Sequence, residues 1–441
     1  MRILYFILKY SLKYGLWVFY PKTRIVNKPK KRFASTIFMC NHAASFMDPL
    51  IVAESQPPIV FFMTRSDVFK PFLKPILWAS HMLPIYRSLD GENTKEKNEE
   101  VFKKCYKILN QGRSLLVFSE GFTDDIFIRR LKPIKKGAVR IGFGACEANN
   151  WHKKIYLQSI GVNYEEPNRL GSGVLISNGE PVCLNDFKEA YFENPNKVIN
   201  ELTQDMELDM RKQLTDVRNA KWAETHEYVM RLTKEGMSPL DYDKSLTLKQ
   251  RWKYSKQLAD WFNSQDLENN SELIGLKNDL KEYFKNLNDN QLEEHIITKH
   301  INNKWSPIKD VLYFVFLFPF FVVGLVHHYI PYFFTKKFVE KSFKRPVFWG
   351  SVKMMLGSVT AGVYNIILML AFNHLIYSNG WFWFVYYFSV VPLTGIIAYH
   401  YKNRFDNFQK MKKVKESGRV ARLIAERKRL ISEIKRLIPV S

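Results

Sequence analysis

Three long apolar runs in the last third of the chain constrain its fold more than any other feature. The runs cover residues 311–334, 354–377 and 381–399. The last two are long enough to cross a bilayer as helices, which takes about 20 residues, and a tight turn at residues 378–380 joins them. In lipid every backbone polar group needs an internal hydrogen bond, so we predict a transmembrane helical hairpin for these two runs.

Basic clusters flank the hairpin on both sides, at residues 336–345 and 402–413. Positively charged loops stay in the cytoplasm, so both ends of the hairpin are expected there. A complete crossing by the first run would place the 336–345 cluster on the other side of the membrane. Pro319 and Pro331 interrupt that run. We therefore predict a re-entrant or interfacial segment for residues 311–334, with a full crossing as the alternative.

The charge balance indicates what the chain binds. Lysine and arginine exceed aspartate and glutamate by 23, which indicates an anionic partner, either nucleic acid or a membrane surface. Aromatic residues make up 15 % of the chain, many of them lie in apolar runs, and no zinc-finger spacing or compact RNA-binding signature accompanies them. We therefore expect membrane lipids as the partner and no nucleic acid. The four cysteines are far apart in the sequence and predict no metal site.

The N-terminal segment is a further candidate for membrane contact. Residues 3–20 are almost wholly apolar or aromatic, and Lys9 and Lys13 interrupt them. Because these lysines are four residues apart, they share one face of a helix. The run is short for a membrane span, so we predict an interfacial helix with its lysines at the lipid headgroups. A terminal helix packed on the protein core is the alternative.

Strand-like and helix-like runs alternate between residues 33 and 190. Apolar strand-like runs cover residues 34–40, 58–64, 114–119 and 155–162, and helix-like runs cover residues 94–110 and 136–149. This alternation is typical of an α/β fold with a mixed, largely parallel sheet flanked by helices. The chain is therefore expected to divide into segments 1–32, 33–215, 216–305, 306–400 and 401–441.

Two of these segments, residues 216–305 and 401–441, are predominantly polar and predict helices. Residues 216–305 are charged and rich in helix formers, which predicts a helical extension of the sheet domain. Residues 401–441 are basic and carry apolar positions seven apart. They predict a cytoplasmic tail that forms a membrane-surface helix or a short coiled coil, with a solvated basic helix as the alternative.

The most informative polar pattern follows the first strand-like run. His42 comes directly after this run, and Asp48 lies six residues beyond His42. A turn after a buried strand can fold this carboxylate back onto one imidazole nitrogen, which leaves the other free to take a proton from a hydroxyl. His42 and Asp48 are therefore candidates for a general base and the group that orients it, although a structural pair is the alternative.

Three further segments follow in a fixed order. They are Leu83-Pro84-Ile85-Tyr86-Arg87, then Leu115-Leu116-Val117-Phe118-Ser119-Glu120-Gly121, then Ile160-Gly161-Val162-Asn163 with Gly179-Glu180-Pro181 beyond it. With His42 and Asp48 they resemble the four ordered motifs of the phospholipid/glycerol acyltransferase family, over about residues 33–215. That family transfers a fatty acyl group from a thioester to a hydroxyl of a glycerol phosphate. The resemblance therefore implies an acyltransferase of EC 2.3.1 type.

The motifs of this chain depart from the usual family pattern at three places. Five residues separate His42 from Asp48 instead of the commoner four, which is similar to a variant branch that includes fungal-type glycerol-3-phosphate acyltransferases. Ser119 stands where proline is usual, and Phe122-Thr123 stand where threonine-arginine is usual. A cation often assigned to phosphate binding is thus missing from its place. Five basic residues that follow soon after are candidates to supply it: Arg129, Arg130, Lys132, Lys135 and Lys136.

The resemblance also implies a role for each site residue. His42 acts as the general base and Asp48 holds its ring. Arg87 binds the phosphate of the substrate, and Glu120 and Gly121 belong to the substrate site, together with Lys135 and Lys136. A salt bridge between Arg87 and Glu120 is the alternative. Because a thioester is already activated, no metal and no cofactor are expected, and the donor is an acyl-coenzyme A or acyl carrier protein thioester.

The sequence allows two acceptors. The first is 1-acylglycerol-3-phosphate, which gives phosphatidic acid in phospholipid biosynthesis, and the second is glycerol-3-phosphate, which gives lysophosphatidic acid. The spacing of His42 and Asp48 and the missing arginine favour the second. A catalytically inactive membrane scaffold is the alternative of another class, and the intact motif residues argue against it. We expect an integral membrane protein with the catalytic domain and the C-terminus on the cytoplasmic face.

Overall fold

The chain divides into two compact units in a computed structural model that describes residues 2–28, 34–56, 60–71, 74–86, 94–416 and 420–440. The first unit consists of Met1–Ala223 and Leu246–Asn263. The second unit consists of Glu224–Ser245 and Ser264–Ser441. The sheet and the polar motifs belong to the first unit, and the three apolar runs belong to the second.

The first unit contains an eight-stranded sheet. Its strands are β1 (Lys22–Val26), β2 (Thr36–Cys40), β3 (Val60–Arg65), β4 (Met82–Ile85), β5 (Ser114–Phe118), β6 (Tyr156–Tyr164), β7 (Gly173–Asn178) and β8 (Val182–Cys183). Their order in the sheet is β1-β7-β6-β2-β5-β3-β4, with β8 paired to β6. The pairs of β6 with β7 and with β8 are antiparallel, and the other pairs are parallel. The predicted mixed, largely parallel sheet is confirmed.

Helices cover the sheet. The first unit contains α1 (Arg2–Phe19), α2 (Met47–Ser55), α3 (Lys74–Ala79), α4 (Thr94–Asn110), α5 (Gly137–Glu147), α6 (Lys188–Glu193), α7 (Pro195–Lys212) and α9 (Leu248–Ser264). Every residue of β2 is buried, so both faces of this central strand are covered. The four strand-like runs form β2, β3, β5 and β6, and the two helix-like runs form α4 and α5. The sequence missed β1 because this edge strand is half exposed and its residues are mostly polar.

One continuous apolar cluster fills the space between the sheet and its helices. Strands β2, β5 and β6 contribute Ile37, Met39, Leu115 and Leu157, all of them inaccessible to solvent. Helices α4, α5 and α7 contribute Leu109, Val139, Phe143 and Met206, among others. Each such side chain stabilises the fold by about 1.5–3 kcal/mol through burial. The cluster holds the strands that carry the polar motifs in a fixed register.

The two lysines of helix α1 differ in their surroundings. The Lys13 ammonium forms an ion pair with Glu54 of α2 at 2.9 Å. Lys9 is partly buried, and burial lowers the pKa of its ammonium. The exposed side of α1 also carries large aromatic side chains, which are Phe6, Tyr10, Tyr14 and Trp17. Lys13 is itself 56 % exposed, so the contact of this helix with a membrane interface stays a prediction.

The second unit is helical. It contains α8 (Ala223–Thr233), α10 (Ser271–Asp289), α11 (Glu294–Ile301), α12 (Pro307–Ser342), α13 (Trp349–Leu375), α14 (Gly380–Val385), α15 (Val391–Glu416) and α16 (Val420–Leu437). Among the described residues, three helical stretches are long and apolar enough to cross a membrane: Pro307–Ser342, Pro346–Leu375 and Gly380–Val414. The predicted C-terminal helical region is therefore present, and these helices indicate a membrane-associated protein.

The first apolar run lies in one continuous helix that its prolines do not break. Whether this helix lies in the interface or crosses the membrane stays a prediction. Helix α12 has 36 residues, and both Pro319 and Pro331 lie inside it. A proline removes one backbone hydrogen bond and can kink a helix, but neighbouring helices tolerate this in apolar bundles. His327 of α12 contacts Asn365 of α13 at 2.7 Å and the Tyr386 hydroxyl at 3.0 Å. The polar groups of the three apolar helices thus bond to one another.

The C-terminal helix α16 packs on other helices of the second unit, which differs from a membrane-surface helix, one of the two forms predicted for the tail. The apolar side chains of α16 are buried within the second unit, with Leu430 at 0 % exposure and Ile434 at 2 %. Arg427 of α16 donates to Glu294 of α11 at 2.6 Å, and the hydroxyl of Tyr283 donates to the same carboxylate at 2.7 Å. The apolar face of α16 is occupied by protein and is not presented to a membrane.

Candidate active site

His42 and Asp48 meet just beyond the carboxyl end of β2. The distance between His42 Nδ1 and Asp48 Oδ2 is 2.9 Å. Asp48 lies in the first turn of α2 and is fully buried, where the positive end of the helix favours a carboxylate. The turn between strand and helix is tight, with Ser45 at φ 53°. The six-residue separation in sequence thus becomes a direct contact.

Asn41 fixes the start of this turn. Its side-chain oxygen accepts a hydrogen bond from Val162 N at 2.8 Å, and its side-chain nitrogen donates to Val162 O at 3.2 Å. This pair of bonds extends the contact between β2 and β6 by one residue beyond Cys40, which pairs with Ile160. His42 therefore leaves the sheet at a defined point.

The imidazole of His42 is held on one side and open on the other. Its ring stacks on the Phe118 ring of β5, with centroids 4.2 Å apart and planes 22° apart. The side chain is 22 % exposed. No residue that the structure describes forms a hydrogen bond to Nε2. With Nδ1 held by Asp48, this arrangement leaves Nε2 available to accept a proton.

Glu120 supports the histidine loop through the backbone. It follows β5, the parallel neighbour of β2 in the sheet, and is buried. Its Oε1 accepts from His42 N at 2.6 Å, and its Oε2 accepts from Lys132 N at 3.0 Å. Burial raises the pKa of Glu120, and the bonds from these two amides and the Lys132 charge oppose the rise. Both oxygens are therefore occupied by protein donors.

Gly121 lies directly beside Lys135. Gly121 has φ +79°, a conformation that side chains rarely adopt, and a methyl group built on it would lie 2.9 Å from Lys135 Nζ. Lys135 is held by a bond from its backbone N to Ser119 O at 2.8 Å. Its side chain is exposed, and its ammonium forms no ion pair within the described parts of the chain. The glycine thus makes room for a cation next to the glutamate.

The five basic residues that follow the motif divide into two groups. Arg129 is buried and donates to the backbone oxygens of Tyr164 and Glu165. Arg130 pairs with Asp124, and Lys132 donates to Phe122 O at 2.8 Å. Two lysines remain exposed, Lys135 and Lys136. Lys136 precedes the first residue of α5, at the positive end of that helix.

The remaining motif residues are Arg87 and the glycines of the fourth motif. Arg87 lies outside the described residues, so its phosphate role stays a prediction. Gly161 of β6 is a packing residue, because a Cβ there would lie 2.2 Å from the backbone oxygen of Gln213. Gly179 is similar, since its Cβ would lie 2.0 Å from Asp209 Oδ2. The two glycines of the fourth motif therefore allow close packing of neighbouring groups against the sheet.

Sequence reasoning missed Tyr164, the last residue of β6. Its buried hydroxyl donates to Asp48 Oδ1 at 2.6 Å. A signal existed, because a tyrosine that ends a buried strand carries a polar group to the sheet edge. That edge is shared with His42, since β6 runs parallel to β2. The order of strands in the sheet was needed to use it.

Residues 23–162 match the family model described as Acyltransferase. This part of the chain, about a third of its length, is therefore an acyltransferase-family domain, and it contains His42, Asp48, Glu120 and Gly121. The match supports an acyltransferase of glycerolipid type, a transferase of the EC 2.3.1 class. No curated protein matches the chain.

Proposed function

We propose that the chain is an O-acyltransferase of glycerophospholipid biosynthesis. It transfers a fatty acyl group from an acyl thioester to 1-acylglycerol-3-phosphate and forms phosphatidic acid. The observation that carries this proposal is the contact of His42 with Asp48, which leaves Nε2 free beside the Glu120-Gly121 motif in an acyltransferase-family domain. The donor is an acyl-coenzyme A or an acyl carrier protein thioester.

His42 acts as the general base in this mechanism. Its Nε2 takes the proton of the acceptor hydroxyl while the hydroxyl oxygen attacks the thioester carbonyl carbon. Asp48 holds Nδ1 and stabilises the imidazolium that forms. When the tetrahedral intermediate collapses, the carbon–sulfur bond breaks and the imidazolium returns its proton to the leaving thiolate. Formation of the ester bond needs no metal and no cofactor in this mechanism, because the thioester is already activated.

Lys135 and Lys136 hold the phosphate of the acceptor in this proposal, together with Arg87. The support for the lysines is their exposure beside the motif, whereas the neighbouring arginines are engaged with protein groups. Gly121 keeps the approach to Lys135 open. Glu120 serves the substrate site indirectly, by holding the His42 amide, and does not need to contact the anionic substrate.

Glycerol-3-phosphate is the second candidate acceptor. The five-residue spacing between His42 and Asp48 favours it, because this spacing is similar to that of the fungal-type branch. Both acceptors present a hydroxyl to the base and a phosphate to the cations. They differ in one fatty chain, so the products are phosphatidic acid and lysophosphatidic acid respectively.

We further propose that the catalytic domain and the C-terminus face the cytoplasm. The support is the set of three apolar helices together with the basic cluster at residues 402–413. Phosphatidic acid carries two fatty chains, so a site at the membrane surface suits its release into the bilayer. In this proposal, membrane lipids surround the apolar helices and also take up the product.

The test is an assay of the purified full chain in lipid vesicles with a labelled acyl thioester and each acceptor. His42→Ala is the inactive reference, and it keeps the backbone amide that binds Glu120. His152→Ala, at an exposed histidine outside the site, is the matched control. We expect turnover with 1-acylglycerol-3-phosphate, and we expect His42→Ala to abolish it and His152→Ala to leave it unchanged. Turnover with glycerol-3-phosphate alone would identify that compound as the acceptor in place of 1-acylglycerol-3-phosphate. A wild-type protein without turnover on either thioester donor would support the scaffold alternative.

A further inference from the structure

Tyr164 and His42 bind opposite oxygens of one carboxylate. The Tyr164 hydroxyl donates to Asp48 Oδ1 at 2.6 Å. Oδ2 accepts from Ala44 N at 2.9 Å and lies 2.9 Å from His42 Nδ1. Because both oxygens are held, the carboxylate plane cannot rotate without breaking a hydrogen bond. The direction in which Asp48 holds the imidazole therefore depends on the tyrosine.

We propose that Tyr164 is a positioning residue for proton transfer by His42, and that it acts through Asp48. The hydroxyl fixes the carboxylate, and the carboxylate fixes the ring. This inference rests on the proposed function, because the orientation of the ring affects turnover only if His42 moves a proton.

Tyr164 is itself firmly held. Arg129 donates to its backbone oxygen and, at 2.9 Å, to that of Glu165. The Tyr164 ring packs edge-on against Phe127, with centroids 6.2 Å apart, and lies 5.7 Å from the Tyr20 ring. These contacts hold both the ring and the backbone of Tyr164. The hydroxyl therefore has a fixed position relative to Asp48.

The hydroxyl also stays a hydrogen-bond donor. Burial raises the pKa of Tyr164 well above its ordinary value, and the neighbouring Asp48 charge raises it further. The phenol keeps its proton throughout the range in which an enzyme of this type is assayed. It can stabilise the Asp48 carboxylate but cannot serve as a base.

Tyr20 offers a matched control within the same aromatic cluster. It is as buried as Tyr164, at 1 % exposure against 0 %. Its hydroxyl donates to Pro167 O at 2.7 Å and not to Asp48. Tyr20→Phe therefore removes a buried hydroxyl and one hydrogen bond, as Tyr164→Phe does, and leaves the carboxylate untouched.

The experiment compares pH–rate profiles of the wild-type full chain, Tyr164→Phe and Tyr20→Phe in lipid vesicles, with thermal unfolding measured on each. Loss of the donor makes the His42–Asp48 pair take up a proton more readily, and a protonated base is inactive. Tyr164→Phe should lower kcat by about 10-fold to 100-fold. It should also move the acid limb of the profile to higher pH by about half a unit to one unit.

Incorporation of 3-fluorotyrosine at position 164 is the second variant. It keeps the size of the side chain and strengthens the donor, so the acid limb should move to lower pH. Tyr20→Phe should leave the acid limb in place. An acid limb in Tyr164→Phe that matches the wild type, or an equal shift in Tyr20→Phe, overturns the inference while the proposed function stands. A wild-type protein without turnover overturns both.

Discussion

Glu120 is a buried carboxylate whose two oxygens accept hydrogen bonds from the protein backbone. The family resemblance implied a place in the substrate site, and an ion pair with Arg87 was the alternative. Arg87 lies outside the described residues, so both of these stay predictions. The oxygens of Glu120 accept from two backbone amides, one of them that of His42 itself. A buried carboxylate with two amide donors is well satisfied and holds two loops together.

Glu120→Gln should therefore lower kcat and thermal stability together. The side-chain amide has one acceptor oxygen, so one of the two backbone donors loses its partner, which costs about 1–3 kcal/mol. Thermal unfolding and acceptor saturation curves measure the two effects. Glu180→Gln, at an exposed glutamate of the fourth motif, is the control. A raised acceptor KM at unchanged stability would instead favour direct contact with the substrate.

Lys135 is the residue whose role as a phosphate-binding cation can be tested most directly. Lys135→Ala should raise the acceptor KM by about tenfold, because a hydrogen bond to a charged group is lost. The donor KM and the melting temperature should stay unchanged, since the side chain is exposed. Lys154→Ala is the control, an exposed lysine that precedes β6 and therefore lies at the other edge of the sheet. A larger effect on the donor KM would contradict the assignment.

At the scale of elements, α1 presents an unexpected face. Its exposed surface carries phenylalanine, tyrosine and tryptophan side chains, whereas Lys13 bonds to α2. Tyrosine and tryptophan prefer the interface between lipid and water, because one end of the side chain is apolar and the other is polar. The sequence predicted an interfacial helix with its lysines at the lipid headgroups, and the exposed aromatic side chains are further candidates for lipid contact on this helix.

A fluorophore on α1 should therefore report lipid contact. In a Cys183→Ser background, whose other cysteines are buried, Tyr14→Cys and Lys154→Cys are labelled separately and reconstituted as full chains. Brominated lipids should quench the label at position 14 and not the label at position 154, and high salt should not reverse this because the contact is apolar. Equal quenching at both positions would contradict a membrane role for this face.

At the scale of the whole molecule, the segments before and after the apolar region contact each other. Arg404 of α15 donates to Asp310 of α12 at 2.7 Å. His295 lies 3.2 Å from Asn407, and Arg427 donates to Glu294. Segments in direct contact lie on one side of a membrane. We therefore expect an even number of complete crossings between them, with at least one of the three apolar helices not crossing completely.

Tags at the two ends of the chain should therefore react from the same side of sealed vesicles. We expect the N-terminal tag on this side because no described residue between α1 and α12 belongs to a helix that could cross. Protease protection of an N-terminal and a C-terminal tag measures it, with detergent-opened vesicles as the reference. A cysteine introduced by Lys344→Cys shows whether α12 crosses. Tags that react from opposite sides would contradict this arrangement.

Much of the fold could be predicted because it depends on local patterns. The apolar runs of β2, β3, β5 and β6 were visible as short strands between helical stretches, and hydrophobic periodicity is a property of neighbouring residues. Strands β1, β4, β7 and β8 were missed. Strand β1 is a partly exposed edge strand with mostly polar residues, and β4 and β8 have only four and two residues. The prolines of α12 suggested a break, but packing against α13 and α15 supports an unbroken helix.

The sequence by itself determined the order of the motifs, the His42–Asp48 pair and the apolar helices, because each depends on residues that are close along the chain. Only the tertiary structure decided how the pair is supported. Tyr164 reaches Asp48 across 116 residues, and Glu120 reaches the His42 amide across 78. Such contacts follow from the order of strands in the sheet, which long-range packing selects and no local pattern encodes.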